Sequence, residues 1–235
     1  RQDQRAGRYG VAAMPEPTVL TLSYRFARFT FGLFFRIWFR WKVLHRERVP
    51  AEGGVILASN HVSYLDPVYV VSALERMVVG LARESAFNVP LGGRILRSWR
   101  VIPVDQTGTG RGLKTFLSRL RGGDAVVMYP EGTRSPTGQI RAPQPGIGLI
   151  IIKSTAPVVP IKLFGAYEAY ARHHWLPRPY QVQIKFGEPL DFADLRAEAK
   201  QTKDKERLKE IYQQAATDLL HAIAQIEPGP DQKAS

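Results

Sequence analysis

Two pairs of side chains in the sequence could perform acid–base chemistry and bind an anion. His61 and Asp66 lie five residues apart, and Glu131 and Arg134 lie three residues apart further along the chain. An imidazole with one ring nitrogen held by a carboxylate is a general base of fixed tautomer. A guanidinium presents a planar fork of donors that matches the oxygens of a phosphate. Together the pairs suggest a base that deprotonates a hydroxyl and a cradle for a phosphate.

The spacing of His61 and Asp66 restricts the local structure that can bring them together. Five residues correspond to about 140° around a regular helix, so an unbroken helix would separate the two side chains. They can meet where a turn leads into a helix. Asp66 followed by Pro67 is typical of a helix start, with Asp66 as the N-cap and Pro67 as the first helical residue. The alternative is that Asp66 only caps the helix and His61 is an ordinary loop residue.

The second pair is expected at the end of a buried strand. The apolar run from residue 125 to 129 predicts a strand, which Pro130 ends because proline cannot donate a ladder hydrogen bond. Gly132 allows a positive φ or a close approach of the backbone to a ligand. Glu131 could orient a substrate hydroxyl or balance the charge of Arg134. Taken alone, the segment is explained equally well as a polar turn with an internal Glu–Arg pair.

Strand and helix patterns alternate after residue 53. Short apolar runs bounded by glycine and proline predict strands, and the segments between them have helical periodicity. The alternation predicts an α/β fold with a mixed, largely parallel central sheet flanked by helices. Strands are expected at 55–59, 77–81, 101–104, 125–129, 158–164 and 182–186, and helices at 67–75, 92–99, 112–121, 146–154 and within 191–226.

An aromatic and basic segment precedes this domain. Nine of the 18 residues from Tyr24 to Trp41 are aromatic, against 24 aromatic residues in the whole chain. The longest uncharged run within it, Phe29 to Phe35, has seven residues, whereas a membrane-spanning helix needs about 20. The segment therefore predicts one or two amphipathic helices in the membrane interface, with the aromatic face in lipid and arginines at the phosphates. The alternative is a helix packed on the domain with snorkelling arginines.

The chain is basic and contains no cysteine. Its formal net charge is +12, and ten basic and three acidic residues within 1–50 contribute +7 of this charge. Such a chain favours polyanions: anionic lipid, nucleic acid or CoA-type substrates. The lack of cysteine excludes disulfides, thiolate nucleophiles and cysteine-based zinc sites, and it favours a reducing compartment. No group of His, Asp and Glu has the spacing of a metal site, and we assign the adjacent His173 and His174 to a surface loop.

In this order, the two segments resemble motifs of the PlsC-like glycerolipid acyltransferases of the 1-acylglycerol-3-phosphate acyltransferase type. The family's first motif, Asn-His-x4-Asp, is matched by Asn60, His61 and Asp66. Its third motif, Phe-Pro-Glu-Gly-Thr-Arg-Ser, is matched by residues 129–135 with tyrosine in place of phenylalanine. The resemblance covers about residues 45–190, and the ordered set of motifs is more specific than any one of them.

Two weaker motifs complete the resemblance. The family's Val-Pro-rich fourth motif resembles residues 157–161, which include Pro160. Its second motif, an apolar strand ending in a basic residue, resembles residues 101–105. The sequence departs from the family at the next position, because Gln106 stands where an arginine is common.

The resemblance implies an acyl transfer in which His61 deprotonates the hydroxyl of a lysophospholipid and Asp66 orients and stabilises the imidazolium. The alkoxide would attack the thioester of acyl-CoA or acyl carrier protein directly, with no cofactor and no metal. The expected acceptor is 1-acylglycerol 3-phosphate, which gives phosphatidic acid; another lysolipid or glycerol 3-phosphate is the alternative. The residues expected to bind the substrate are Asn60, Glu131, Gly132, Thr133, Arg134 and Pro160.

The expected partners are the lipid acceptor, the acyl donor and an anionic membrane surface, without nucleic acid. The expected location is the cytoplasmic face of a membrane, as a peripheral or monotopic protein. A basic membrane- or nucleic-acid-binding protein without catalysis would explain the charge and the aromatic segment, but it would leave the two motifs unexplained. The expected organisation is a disordered tail or expression remnant at 1–13, an amphipathic membrane-interface segment at 14–44, an acyltransferase domain at 45–228 and a tail at 229–235.

Overall fold

A mixed six-stranded sheet lies at the centre of the protein. The computed structural model describes residues 22–83, 87–88, 101–104, 111–144 and 146–230. Two further short strands within these ranges pair only with each other. The strands of the central sheet are β1 (Lys42–Leu44), β2 (Val55–Ser59), β3 (Val78–Val79), β6 (Ala125–Met128), β7 (Val158–Phe164) and β8 (Gln183–Phe186), and the separate pair is β4 (Leu81–Arg83) and β5 (Ile102–Val104).

The strand order of the central sheet is β1, β8, β7, β2, β6, β3. Neighbouring strands run parallel, except that β7 and β8 are antiparallel. Every residue of β2 and β6 is buried, as expected of parallel strands that are covered on both faces. The prediction of a mixed, largely parallel α/β sheet is confirmed.

Helices cover both faces of this sheet. The crossover connections between parallel strands need such helices, because parallel neighbours cannot be joined by a tight turn. The helices are α1 (Leu22–Trp38), α2 (Asp66–Ala73), α3 (Arg111–Arg121), α4 (Gly146–Lys153), α5 (Ala166–Tyr170), α6 (Ala193–Gln201) and α7 (Lys205–Gln225), and a 3₁₀ helix spans Arg46–Arg48.

Two apolar cores divide the helices into two layers. Side chains of α1, α2 and α5 pack in a first core on one face of the sheet. Side chains of α3, α4 and α7 pack in a second core on the other face, with α6 at its edge. Successive residues of a strand point to opposite faces, and accordingly Ile56 of β2 belongs to the second core and Leu57 to the first. The α1 layer and the α7 layer therefore lie on opposite sides of the molecule.

Most predicted element boundaries lie within two residues of those in the structure, but the strand expected at 77–81 is divided between β3 and β4, which belong to different sheets. The strands expected at 55–59 and 158–164 have these same bounds, and the helix expected at 112–121 begins one residue earlier. The helical segment within 191–226 is divided into α6 and α7, and Asp204 caps α7 by accepting a hydrogen bond from the amide of Glu206. The helix expected at 92–99, Gln106 and the tail at 1–13 lie outside the described residues.

Helix α1 uses its aromatic side chains in two ways. Tyr24 and Phe35 are buried against the domain, and Arg28 donates to the backbone oxygen of Leu74 at 2.9 Å. Phe26 and Phe29 are each 68% exposed. The predicted amphipathic helix is therefore confirmed as a helix, with one aromatic face packed on the protein and one open. Within the described ranges, no helix combines the length and the apolar character needed to cross a membrane.

The chain continues from α1 directly into the sheet. Strand β1, which precedes the boundary expected at residue 45, is the edge strand beside β8. The amide of Lys42 donates to the backbone oxygen of Val182, and the amide of Val182 donates to that of Phe39. The N-terminal helix is thus joined to the edge of the α/β domain by backbone hydrogen bonds.

Candidate active site

The candidate site is built on the ends of two neighbouring strands. Strands β2 and β6 run parallel, and their pairing extends to Ala58, next to the last residue of β2, beside Met128, the last residue of β6. The loops that follow them carry His61 and Glu131, so the two predicted segments lie side by side at one edge of the sheet. The carboxyl ends of parallel strands are the usual position for ligand sites in α/β folds.

His61 and Asp66 form a hydrogen-bonded pair in the first loop. Nδ1 of His61 lies 2.8 Å from Oδ2 of Asp66. The same oxygen accepts hydrogen bonds from the amides of Val62 at 2.6 Å and Ser63 at 2.7 Å. The loop therefore wraps around the carboxylate and turns the imidazole onto it. With Nδ1 donating to Asp66, Nε2 is the ring nitrogen that can accept a proton from a substrate.

The expectation that Asp66 caps helix α2 is wrong. Leu65 is the N-cap, no side chain caps this helix, and Asp66 is already the first helical residue. The carboxylate bonds to amides that precede it in the chain instead of amides of the first helical turn. The physical reason is that Asp66 lies one residue past the cap position, and the preceding loop folds back so that its amides reach Oδ2. Pro67 suits the first turn because that position needs no amide donor.

Burial dominates the electrostatics of the pair. Asp66 is completely buried, and loss of solvation raises the pKa of its carboxyl above the ordinary value, while the three hydrogen bonds to Oδ2 act in the opposite direction. Its other oxygen, Oδ1, is buried without a hydrogen-bond partner in the described structure. The polar interactions of Asp66 are therefore concentrated on the oxygen that faces His61.

Tyr129, the first residue of the second loop, stacks on the imidazole of His61. The ring centroids are 4.1 Å apart and the ring planes are inclined by 22°. Among the described residues, the buried hydroxyl of Tyr129 finds no partner. Burial, with a smaller contribution from the charge of Asp66, raises the pKa of Tyr129 well above its ordinary value. The phenol is thus neutral, and its ring provides a stacking surface for the imidazole.

Glu131 joins the two loops. Its Oε1 accepts from the amide of His61 at 2.9 Å and its Oε2 accepts from the amide of Arg141 at 3.1 Å. The residue is 1% exposed, and desolvation raises the pKa of its carboxyl, against the effect of those two amides. A second link between the loops is the bond from the amide of Ser135 to the backbone oxygen of His61, at 2.7 Å. Because the side chain is almost completely buried, its carboxylate braces the two loops from inside the protein.

Gly132 is required by the shape of the second loop. Its φ is +70°, and a Cβ at this position would lie 2.6 Å from Cγ of Gln144. Any other residue would be strained at this φ and would displace Gln144, whose amide donates to the backbone oxygen of Pro130. Gly132 is exposed and Thr133 is half-buried, so both lie where a ligand can reach the turn.

Arg134 lies over the ring of Tyr64, in the first loop. Its Cζ is 3.5 Å from the centroid of the tyrosine ring, a cation–π geometry. One guanidinium nitrogen, Nη1, is buried without a hydrogen-bond partner in the described structure. The alternative of an internal Glu131–Arg134 pair is not found among the described residues, where Glu131 bonds to amides instead. The contact with Tyr64 therefore holds the guanidinium in place next to the first loop.

Asn60 and Pro160, the remaining predicted substrate contacts, hold the scaffold. The side-chain amide of Asn60 donates to the backbone oxygen of Leu163 and accepts from its amide, at 3.1 and 2.8 Å. Pro160 lies within β7 beside Ala58 and accepts a backbone hydrogen bond from Gly187. The structure therefore brings His61, Asp66, Gly132, Thr133 and Arg134 to one site, with Asn60 and Glu131 bracing it and Pro160 within the sheet.

Sequence reasoning missed the two tyrosines of the site. Tyr64 supports Arg134, and Tyr129 supports His61. Both lie inside the two predicted segments, so aromatic residues within those loops were the available clue. Ser63 is unsuited to be a nucleophile, because its hydroxyl donates to the backbone oxygen of Tyr170 and accepts from the amide of Leu65.

Comparison with known families agrees with this geometry. A family model described as Acyltransferase matches residues 40–163, which is more than half of the chain and includes both loops of the site. The chain belongs to the acyltransferase family. The family assignment accords with the motif resemblance found in the sequence.

The acyltransferase relatives differ in how much of their length they share with this chain. The 1-acyl-sn-glycerol-3-phosphate acyltransferase of Limnanthes alba is 26% identical over 143 residues, which are 59% of this chain and 51% of that protein. The chain thus spans about half the length of this relative. The protein with the same name from Bacillus subtilis is 28% identical over 155 residues, which are 65% of this chain and 75% of that protein.

An acyltransferase of known structure has the same fold. The crystal structure of the 1-acyl-sn-glycerophosphate (LPA) acyltransferase, PlsC, from Thermotoga maritima superimposes with a TM-score of 0.64. The match covers 88% of this chain and 81% of that chain at 21% sequence identity. At this identity the likeness concerns the arrangement of sheet and helices.

The described residues of this acyltransferase-family chain contain no cluster of three or more His, Asp or Glu side chains that could hold a metal. His173 and His174 lie in the loop after α5, where Nδ1 of His174 accepts from the amide of Ala171. The ionisable side chains of the two loops include an imidazole, a carboxylate and a guanidinium.

Proposed function

We propose that this protein transfers a fatty acyl group from an acyl thioester to the free hydroxyl of 1-acylglycerol 3-phosphate, giving phosphatidic acid. The observation that carries the proposal is the pair of half-buried His61 and buried Asp66 in the loop after β2, with Nδ1 of His61 2.8 Å from Oδ2 of Asp66. The name shared by the Limnanthes and Bacillus relatives, 1-acyl-sn-glycerol-3-phosphate acyltransferase, supports the choice of reaction.

His61 supplies the base. Nε2 takes the proton of the acceptor hydroxyl while Nδ1 stays bonded to Asp66, whose negative charge stabilises the imidazolium that forms. The hydroxyl oxygen attacks the thioester carbonyl, the C–S bond breaks and the thiolate leaves. The imidazolium returns its proton to the thiolate. The products are the ester and the free thiol, and His61 is again neutral.

Direct transfer to the acceptor fits the side chains of the site. The sequence contains no cysteine, and the hydroxyl of Ser63 is engaged by Tyr170 and Leu65. A thiolate is a good leaving group because the pKa of a thiol is roughly 8.5, so an acyl-enzyme intermediate is not needed. The donor in this proposal is acyl-CoA or acyl carrier protein, and the reaction uses no metal and no cofactor.

Arg134 is the proposed phosphate ligand. Its guanidinium rests on Tyr64 and has a buried nitrogen without a partner in the described structure. A phosphate would satisfy this donor and gain a charge-assisted hydrogen bond. Gly132, in the preceding turn, leaves the backbone open to the same group. A lysophospholipid whose phosphate binds here would present its glycerol hydroxyl towards the neighbouring loop, which carries His61.

Helix α1 is the proposed membrane contact. Phe26, Phe29, Leu33 and Ile37 recur along one exposed face of the helix, between 49% and 71% exposed. Such an apolar stripe next to arginines is typical of helices that lie in the membrane interface. The proposed location is the cytoplasmic face, as a peripheral or monotopic protein, because the acyl donors named above are cytoplasmic.

A panel of acceptors tests the reaction. Purified protein is incubated with isotope-labelled acyl-CoA and, separately, 1-acylglycerol 3-phosphate, another lysophospholipid and glycerol 3-phosphate, and the products are identified by lipid mass spectrometry. We expect phosphatidic acid as the main product. Release of labelled fatty acid without any acceptor would indicate a hydrolase, and preference for another acceptor would overturn the substrate assignment.

Replacement of the base tests the mechanism. His61→Ala is expected to lower turnover by roughly 10³-fold, an order typical of a lost general base, while folding and vesicle binding stay near those of the parent. Unchanged turnover in this variant would refute the role of His61. Vesicle or nucleic-acid binding without turnover in any acyl-transfer assay would favour a binding protein.

A further inference from the structure

Exposed apolar side chains are concentrated in three segments of the described structure. One is the open face of α1, and the second is Tyr64 beside Arg134. The third is the connection from α5 to β8, where Trp175 is 89% exposed and Leu176 is 62% exposed. We call residues 172–178 the Trp175 loop. The large apolar side chains exposed by more than two fifths are Phe26, Phe29, Leu33, Phe34, Ile37, Trp38, Tyr64, Trp175 and Leu176.

These three segments belong to the same layer of helices, and Tyr64 joins it through Tyr170 of α5, with ring centroids 5.4 Å apart. Helices α1 and α5 both pack in the first core, and the Trp175 loop follows α5 directly. Helices α3, α4 and α7 pack in the second core, on the opposite face. Within the described part of that layer no large apolar side chain is comparably exposed. Exposed apolar side chains are thus concentrated on one side of the sheet, as expected of a protein that turns this side to an apolar environment.

The Trp175 loop is anchored at both ends. At its start, the amide of His174 donates to the backbone oxygen of Ala171, and the amide of Ala171 donates to Nδ1 of His174. At its end, the amide of Arg178 donates to the backbone oxygen of Ala169 at 2.8 Å. These bonds fix the base of the loop, so Trp175 is presented outward by a closed loop and not by a frayed end.

The loop is also basic. Arg172 and Arg178 flank its apolar tip and are exposed, and the sequence contains no acidic residue from 169 to 187. Tryptophan favours the boundary between lipid headgroups and acyl chains, and exposed arginines are attracted to anionic headgroups. An apolar tip flanked by cations matches the surface of an anionic bilayer.

The loop connects the candidate active site with the end of α1. At its start, Tyr170 accepts a hydrogen bond from the hydroxyl of Ser63, in the loop that carries His61. Beyond its end, the amide of Val182 donates to the backbone oxygen of Phe39, directly after α1. The Trp175 loop therefore occupies the border of the site, next to the chain segment that follows the exposed stripe of α1.

We propose that the Trp175 loop is a second membrane contact that inserts Trp175 and Leu176 into the interface of an anionic bilayer. With α1 it would hold the molecule at two points and bring the opening of the active site to the lipid surface. This inference rests on the proposed function, in which the acceptor is a lipid. It is distinct from that proposal because α1 alone could attach the protein to a membrane.

Site-specific labelling tests insertion directly. The chain contains no cysteine, so single substitutions to cysteine carry one environment-sensitive fluorophore each: Leu176→Cys in the loop, Phe29→Cys on α1, and Gln214→Cys on the exposed surface of α7 as the matched control. Each protein is mixed with vesicles of phosphatidylcholine alone or with one quarter phosphatidylglycerol. We expect a blue shift at positions 176 and 29 on the anionic vesicles and none at position 214.

Each other pattern of labelling overturns a defined part of the proposal. A shift at position 29 without one at 176 would refute the loop contact and leave α1 as the membrane contact. No shift at either position would refute membrane attachment by both elements. A shift at 176 that is equal on neutral vesicles would refute the role of the arginines. A shift caused by an acidic acyl carrier protein without vesicles would make the loop a protein-docking site.

Turnover gives an independent measure. We expect Trp175→Ser with Leu176→Ser to lower acyl transfer to 1-acylglycerol 3-phosphate in anionic vesicles by roughly tenfold, as loss of two inserted side chains weakens interfacial binding. Transfer to a water-soluble, short-chain acceptor should be unchanged, which also shows that the variant is folded. An equal loss of acyl transfer to both acceptors would refute the proposal. Unchanged acyl transfer to both acceptors would also refute it. Inactivity of the parent with every acceptor would refute the proposed function instead, while the labelling result would still stand.

Discussion

The phenol ring of Tyr129 stacks on the imidazole of His61, with centroids 4.1 Å apart and planes inclined by 22°. One edge of the imidazole is held by Asp66 at 2.8 Å, and one face is held by Tyr129. Hydrogen bonding alone would leave the ring free to tilt about the Nδ1–Oδ2 axis. The stack removes this freedom, so Nε2 has a defined direction for proton transfer.

Two substitutions at Tyr129 should distinguish the contribution of its ring from that of its hydroxyl. Tyr129→Leu removes the stacked surface, and we expect kcat to fall about tenfold with little change in KM, because a misplaced base costs turnover more than binding. Tyr129→Phe keeps the ring and removes a buried hydroxyl without a described partner. We expect parental kcat and a free energy of unfolding higher by about 1 kcal/mol, since an unsatisfied buried group is removed.

Steady-state kinetics and urea denaturation of the two Tyr129 variants provide the measurements. Phenylalanine is the residue in the motif that this segment resembles, so Tyr129→Phe serves as the conservative control. A loss of kcat in Tyr129→Phe equal to that in Tyr129→Leu would assign the role to the hydroxyl and contradict the stacking argument.

We expect the carboxylate of Asp66 to be needed for turnover although its burial lowers the stability of the fold. In Asp66→Asn the amide oxygen can replace Oδ2 as the acceptor for His61, Val62 and Ser63, and the amide nitrogen takes the place of Oδ1, which has no partner in the described structure. The variant should fold. Its turnover should fall by about 10³- to 10⁴-fold, because a neutral amide does not stabilise an imidazolium.

The pH dependence of the stability of Asp66→Asn follows from the raised pKa of Asp66, which is caused by burial. Below the pKa of an unfolded aspartate the carboxyl is neutral in both states and costs nothing. As the pH rises through the higher folded pKa, ionisation favours the unfolded state and stability is lost. The free energy of unfolding of the parent should therefore decline relative to that of Asp66→Asn as the pH rises. Urea denaturation at several pH values measures this, with Asp218→Asn, an exposed position on α7, as the control; a parent that gains stability relative to Asp66→Asn would contradict it.

The sequence was sufficient for the sheet and for the pairing of His61 with Asp66, but not for how the pairing is achieved. Apolar runs such as Val55–Ser59 are too short for a typical buried helix and follow glycines, which favours strands, so the strands were predictable. The partner of a short polar side chain depends on loop geometry at ångström scale. Asp66 has the residue type of a helix cap, yet it bonds to amides upstream, because the loop folds back over it before α2 begins.

Glu131 illustrates the same limit across two loops. A glutamate beside a glycine and an arginine suggests ligand binding, and nothing in the local sequence reveals that its oxygens reach the amides of His61 and Arg141. Those contacts depend on the pairing of β2 with β6, which brings residues 70 positions apart together. Asn60 is similar, because both ends of its side-chain amide bond to Leu163 across the β2–β7 pair.

Glu131→Gln should therefore disturb the positioning of His61 more than the binding of the acceptor. Glutamine can accept from one of the two amides, but its own amide nitrogen would face the other. We expect a loss of about 1–3 kcal/mol in the free energy of unfolding, the usual cost of a buried donor left unpaired. We also expect a lower kcat with the KM for the acceptor nearly unchanged. Glu52→Gln, at an exposed position before β2, is the matched control, and a rise in acceptor KM at constant kcat would instead indicate that Glu131 contacts the substrate.

Arg134 should determine the affinity for the phosphate of the acceptor. Arg134→Ala removes a donor that is free in the described structure, and loss of a charge-assisted hydrogen bond is expected to raise the KM for 1-acylglycerol 3-phosphate by about 10- to 100-fold. Arg134→Lys keeps the charge but loses the planar fork, so an intermediate KM is expected. The KM for a monoacylglycerol acceptor, which has no phosphate, should be the same in the parent and in both variants. Arg141→Ala, an exposed arginine of the same loop, is the matched control, and equal effects on both acceptors would show that Arg134 shapes the site without binding phosphate.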